Sequence, residues 1–197
     1  MTKGSFCAII QVGDNMKKVL TTLLLSTGIL LLTGCSKLYT YDRVVRESKN
    51  KIARDIVIEN PGSINRDNGL KAYTAYLERD KYKKITIING KDTLLPFGQN
   101  YLCTDFAEVY LVSKFNEYKN RNSFNYNILS NMNVESVSSA LHPKCKNLKI
   151  TIDCNEREQY MKVLNDFILR LKREGIYLNE TGVNRYEIAC QNGQKNY

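Results

Sequence analysis

The sequence predicts an α+β fold: a small disulfide-stapled domain that ends in a β-α-β unit. Three observations lead there. A long amphipathic run, Asn155 to Arg173, is flanked by two short stretches rich in β-branched and apolar residues, Leu148 to Asp153 and Val183 to Cys190. An Asn-Gly pair, Asn89-Gly90, sits between runs of strand character. Four cysteines, Cys103, Cys145, Cys154 and Cys190, fall in the same part of the chain without the C-x-x-C spacing of a zinc site.

The elements are expected in the following order. Ile52 to Ile58 reads as a short strand, closed by Asn60-Pro61-Gly62. From Asp67 to about Lys81, the spacing of Leu70, Tyr73 and Leu77 with Ala72 and Ala75 predicts a helix. Lys84 to Ile88 and Lys91 to Leu95 read as a hairpin turning at Asn89-Gly90, with Pro96 ending the second strand. Thr104 to Tyr118 presents Phe106, Val109, Tyr110 and Ser113 on one helical face, capped by Thr104 or Asp105; Val109, Leu111 and Phe115 also alternate as in a strand, and the length of the run with its Ala, Glu, Leu and Lys favours the helix. The Asn-rich segment that follows reads as a loop, with a short helix around Val134 to Leu141.

The last third carries the fullest set of signals. Asn155 is placed to cap a helix, with Glu158 three residues on as its capping-box partner. Tyr160, Met161, Leu164, Phe167, Ile168 and Leu171 then line one face. Lys172 and Arg173 suit the negative end of the helix dipole, and Gly175 suits the left-handed residue beyond it. A helix joining two strands of one sheet makes them parallel. Parallel strands end on the same side, which brings Cys154 and Cys190 together and leaves Cys103 for Cys145. Pairing Cys145 with Cys154 would bridge the two ends of one extended strand. Pairing Cys145 with Cys190 would join opposite ends of two parallel ones.

The chain has 197 residues, 43% hydrophobic and 25% charged, which suits one folded domain and argues against wholesale disorder. The net charge is +9. In residues 1–34 the only charged groups are Lys3, Asp14, Lys17 and Lys18, so most of that charge belongs to the remainder. A basic surface favours anionic partners such as lipid head groups or cell-wall polymers. The groups Arg43 to Arg54 and Arg79 to Lys84 are interspersed with Asp and Glu, so neither is a polybasic tail.

Near the N-terminus, Met16-Lys17-Lys18 is followed by the apolar run Val19 to Leu32 and then Thr33-Gly34-Cys35. The run is too short for the ~20 residues of a membrane span and has the length of a signal h-region behind a positive n-region. Leu32-Thr33-Gly34-Cys35 resembles the lipobox of bacterial lipoproteins. The resemblance covers residues 16–35 and no family is recognised for residues 36–197. It implies cleavage of a signal peptide, residues 1–34; the simplest account of residues 1–15 is a start at Met16, and a start at Met1 gives the same mature protein. It also implies lipid attachment to Cys35, whose several acyl chains hold a protein stably on a membrane. Ser36 stands where Asp marks inner-membrane retention in the enterobacterial pattern, so the implied location is the outer membrane, with the domain facing the periplasm. Residues 35–50 then read as the lipidated N-terminus and a tether, and residues 51–197 as the single domain. Export makes nucleic acid an unlikely partner and makes disulfides the natural state of the four remaining cysteines.

Candidate chemistry is sparse. The single histidine, His142, precedes Pro143, and no G-x-S-x-G motif surrounds a serine. Asp153 with Glu156 and Glu158, and Asp105 with Glu108, are the paired carboxylates, and a helix first turn explains them. The glycines Gly98, Gly175, Gly182 and Gly193 are isolated, so they form no phosphate loop. The 13 tyrosines, among them Tyr39, Tyr41, Tyr73, Tyr76, Tyr82 and Tyr101, suit either half-buried packing or a partner surface. No metal, cofactor or small-molecule substrate is expected. The sequence predicts a non-enzymatic envelope lipoprotein that works by binding a protein partner, as an accessory of a secretion, pilus or conjugation apparatus. The alternative is a surface lipoprotein for phage or plasmid exclusion, and a cell-wall enzyme ranks last.

Overall fold

A computed structural model describes residues 38–59, 63–65, 69–92 and 98–191. The expected signal peptide, the start at Met16 and the lipid attachment site Cys35 lie outside the described residues. The fold is α+β with a C-terminal β-α-β unit.

The chain enters with a helix where a tether was expected. Helix α1 (Tyr41–Lys51) starts at Thr40, whose hydroxyl accepts the Arg43 backbone N–H at 3.4 Å. Val44 and Ser48, four apart on one face, are fully buried, so this segment packs into the domain. A three-residue strand, β1 (Ile56–Ile58), follows, then β2 (Ser63–Asn65), β3 (Leu70–Leu77), β4 (Asp80–Asp92) and β5 (Gln99–Thr104). These form an antiparallel sheet in the order β1-β3-β4-β5, with β2 also pairing β3.

Two expectations fail here. The segment read as a helix is β3, in which Tyr73, Ala75 and Leu77 alternate as buried positions with Thr74 and Tyr76, both strand-favouring residues, between them. Asn89-Gly90 is not a turn but the middle of β4, and the chain reverses earlier, at Glu78-Arg79 between β3 and β4. Asn89 is buried, and its side chain acts as a surrogate peptide group. Its Nδ2 donates to the Tyr39 carbonyl at 2.8 Å, and its Oδ1 accepts the Tyr39 N–H at 3.3 Å. Gly90 is paired across the sheet with Tyr101. A Cβ at Gly90 would run into the end of the Tyr101 ring and come within 2.6 Å of Leu70 Cδ2. Both residues therefore serve contacts with distant segments.

Beyond β5, a π-helical turn (Ala107–Leu111) runs into helix α2 (Val112–Arg121), as the periodicity predicts. A 3₁₀ turn at Ser123–Asn125 leads to a short helix, α3 (Tyr126–Asn131). The helix expected around Val134 is instead strand β6 (Asn133–Ser138), which pairs antiparallel with β7 (Lys146–Asp153). Its two valines, both β-branched, are half-buried on a pleat and offer no helical apolar face.

The last unit matches its prediction. Strand β7 leads through a 3₁₀ turn (Cys154–Glu156) to helix α4 (Arg157–Arg173) and on to β8 (Tyr186–Gln191), which pairs parallel with β7. The capping differs: Asp153 Oδ1 accepts the Asn155 N–H at 2.9 Å and caps the 3₁₀ turn, while Glu156, just ahead of α4, makes no side-chain cap bond. Tyr160, Val163, Leu164, Phe167 and Leu171 form the buried face, each contributing about 1.5–3 kcal/mol. Gly175 has φ 77°, the left-handed geometry expected past a helix end.

The core is shared between the two sheets. Phe167 of α4 meets Phe115 edge-on at 5.1 Å between ring centroids, and Tyr118 lies 5.3 Å away. Tyr118 completes the contact by donating its hydroxyl to Asp166 at 2.8 Å. Desolvation and that bond push the phenol up to about 12.

Candidate functional site

An open groove of about 680 Å³ lies where the two sheets come together. Leu102 of β5 and Val183 ahead of β8 are its buried apolar members. One wall comes from α1 and the residues leading into it, with Tyr39, Glu47 and Lys51. Asn89 fixes this wall by holding the backbone of Tyr39. Another wall is the connection after β6, Ser138 to Leu141, and the last comes from Thr181 through Glu187.

The wall charges are arranged unequally. Lys51 Nζ sits 2.9 Å from Glu47 Oε2, one helical turn away. That hydrogen bond, above all, holds the Glu47 carboxyl below its usual range against the opposing effect of burial. Tyr39 donates its hydroxyl to the Asn100 carbonyl at 3.0 Å and carries the Arg43 guanidinium 4.1 Å above its ring centroid. Tyr101 donates to the Leu141 carbonyl at 3.4 Å, and burial, followed by the nearby Asp92, pushes its phenol up. By contrast, the side chains of Arg185 and Glu187 line the groove without an ion-pair partner among the described residues.

Of the expected cysteine pairs, one is closed. Cys103 on β5 and Cys145 ahead of β7 form a buried disulfide, with Cα atoms 5.5 Å apart. The bridge ties one sheet to the other beside Leu70 and Ile88. The second expected bridge is not formed: Cys154 and Cys190 are free thiols. The strands are parallel as required, but their ends are offset. Cys190 stands opposite Ile152, and Cys154 lies two residues further along, in the 3₁₀ turn. Both cysteines nevertheless stay on one face at the same end of the paired strands.

The other candidates stay apart, each with its own partner. His142 accepts the Lys144 backbone N–H on Nδ1 at 3.2 Å, within its own loop. Glu108 reaches Lys146 at 3.7 Å, and Glu158 pairs with Lys162 at 3.1 Å. Asp105 Oδ1 accepts the Thr86 backbone N–H at 2.7 Å. Among the described residues, no three His, Cys, Asp or Glu side chains are grouped to hold a metal ion.

The sequence did not announce the groove. Its lining comes from five separate segments, and no motif spans them. The tyrosine surplus was the only hint, through Tyr39 and Tyr101. No family model, curated protein or solved structure matches this chain.

Proposed function

We propose that this protein is a lipid-anchored envelope lipoprotein that works by binding, as an accessory of an outer-membrane apparatus, and that the groove between the sheets is its contact site. The lipobox-like segment ending at Cys35 supports the anchor. The lining of the groove supports the binding role and is the observation that carries it. Apolar Leu102 and Val183 lie beside the hydroxyls of Tyr39 and Tyr101, and an uncommitted guanidinium and carboxylate stand on one wall. Recognition sites combine apolar area with a few oriented polar groups in this way. A paired charge such as Lys51 with Glu47 is already satisfied, whereas Arg185 and Glu187 have capacity to offer a partner.

One experiment tests both parts. A photo-crosslinking residue is placed at Ser139, in the groove, or at Tyr82, which is 98% exposed and outside it. Each is made in the natural chain and in Cys35→Ser, with a fatty-acid probe added to intact cells. The expected result is lipid labelling that Cys35→Ser abolishes, and a defined adduct from Ser139 that depends on Cys35 and is absent from Tyr82. Equal labelling of the Ser variant would end the anchor reading. Equal adducts from both positions would end the groove reading.

A further inference from the structure

The thiols of Cys154 and Cys190 occupy a place that the binding role does not use. In the parallel pairing of β7 with β8, Cys190 stands opposite Ile152, so their side chains leave the sheet on the same face. The chain stays extended through Asp153, at φ −73° and ψ 123°, which puts Cys154 on that face as well. Ile152 is buried, and Cys190, beyond it at the strand end, is exposed. The strand end that carries both cysteines is thus reached from solvent.

We propose that Cys154 and Cys190 form a site of reversible thiol–disulfide exchange, which on oxidation latches the edge strand β8 to the end of β7. The co-reactant is an oxidised disulfide, either small like glutathione disulfide or the active pair of an oxidoreductase. Cys190, the exposed thiol, loses its proton to solvent, attacks one sulfur of that disulfide and expels a thiolate. Cys154 then loses its proton and attacks the Cys190 sulfur, expelling the second thiolate. Two electrons and two protons pass to the co-reactant, which becomes a pair of thiols. The division of labour follows from exposure: Cys190 is exposed and meets the co-reactant first, whereas Cys154 is half-buried and attacks second.

The latch matters because β8 lies at the edge of its sheet and, among the described strands, is paired with β7 alone. Its first residues, with Arg185 just ahead, bring Arg185 and Glu187 to the groove. Tying its far end restrains fraying of the strand that carries both groups. The inference rests on the thiol geometry and not on the anchor or the groove reading.

The test uses the purified full chain in glutathione buffers of graded redox ratio, with alkylation and peptide mapping. Mapping separates these thiols from Cys7 and Cys35. The expected result is joint loss of Cys154 and Cys190 from the alkylated pool, with a linked 154–190 peptide and a melting temperature raised by roughly 5–10 °C. Cys154→Ala should then trap a lasting mixed disulfide on Cys190. If both cysteines stay alkylatable across the range, the proposal fails. It fails equally if each accumulates its own glutathione adduct without the linked peptide.

Discussion

The two sheets are specified in different ways. In the C-terminal unit, each signal refers to its own neighbourhood: Asp153 caps Asn155, the apolar face of α4 repeats every turn, and Gly175 turns left-handed past the helix end. In the N-terminal sheet, the strongest local signal points far away. Asn89 bonds Tyr39, 50 residues back, and Gly90 makes room for Tyr101 and Leu70. A dipeptide that favours a tight turn does so by its intrinsic freedom. Where a buried backbone needs the amide, and a ring needs the missing Cβ, tertiary contact overrides that preference.

The largest expected effect asks whether the two regions are energetically separate at all. Phe167 of α4 packs on Phe115 and Tyr118 of α2, the helix that follows the N-terminal sheet. Phe167→Ala should cost about 4 kcal/mol. Urea unfolding followed by circular dichroism should still show one transition, with hydrogen exchange quickening in β3 and β4 as well as in β7. A split transition that leaves β3 and β4 protected would show the sheets to be independent domains, breaking the picture of a shared core.

A smaller effect sharpens the reading of Gly90. Its substitution by Ala should cost about 2 kcal/mol through overpacking against Tyr101 and Leu70. In a Tyr101→Ala background the same change should cost clearly less, since the ring is gone. Equal cost in both backgrounds, measured by thermal melts, would mean that Leu70 or the backbone of Gly90, and not the Tyr101 ring, sets the cost.

This contrast explains what was legible. The α+β class, α2 and the β7-α4-β8 unit follow from periodicity and the geometry of parallel strands, whereas the Cys103–Cys145 bridge was reached by elimination from a Cys154–Cys190 bridge that is not formed. Strand β3 was missed because Leu70, Tyr73 and Leu77 also satisfy a helical spacing. Only the burial of Ala75 between Tyr73 and Leu77 separates the two periods. Helix α1 was missed because its inward face is made of Val44 and Ser48, and a serine gives no apolar signal. The groove was invisible because Glu47, Tyr101, Ser139 and Arg185 meet only once both sheets exist.

The smallest effect concerns Asp105, where a long-range contact again replaces a local one. Read as a helix cap, its carboxylate would be stabilised by the helix dipole. Its Oδ1 instead accepts the Thr86 N–H at 2.7 Å, extending the β4–β5 pairing beyond the last strand residue. Burial pushes the carboxyl above its usual range despite the Thr86 bonds, and Glu108 adds to the rise. A carboxyl raised in the folded state favours folding below its unfolded value, and loses that contribution as pH climbs through the folded one. At pH 7 the ionised group is therefore a mild liability. Asp105→Asn keeps a carbonyl for the Thr86 N–H, and its amide can donate to the Thr86 hydroxyl. The variant should melt about one or two degrees higher than the natural chain at pH 7, with the gap closing below pH ~4. A variant that melts lower at pH 7 would mean that the charge itself is held favourably, and the cap reading would return.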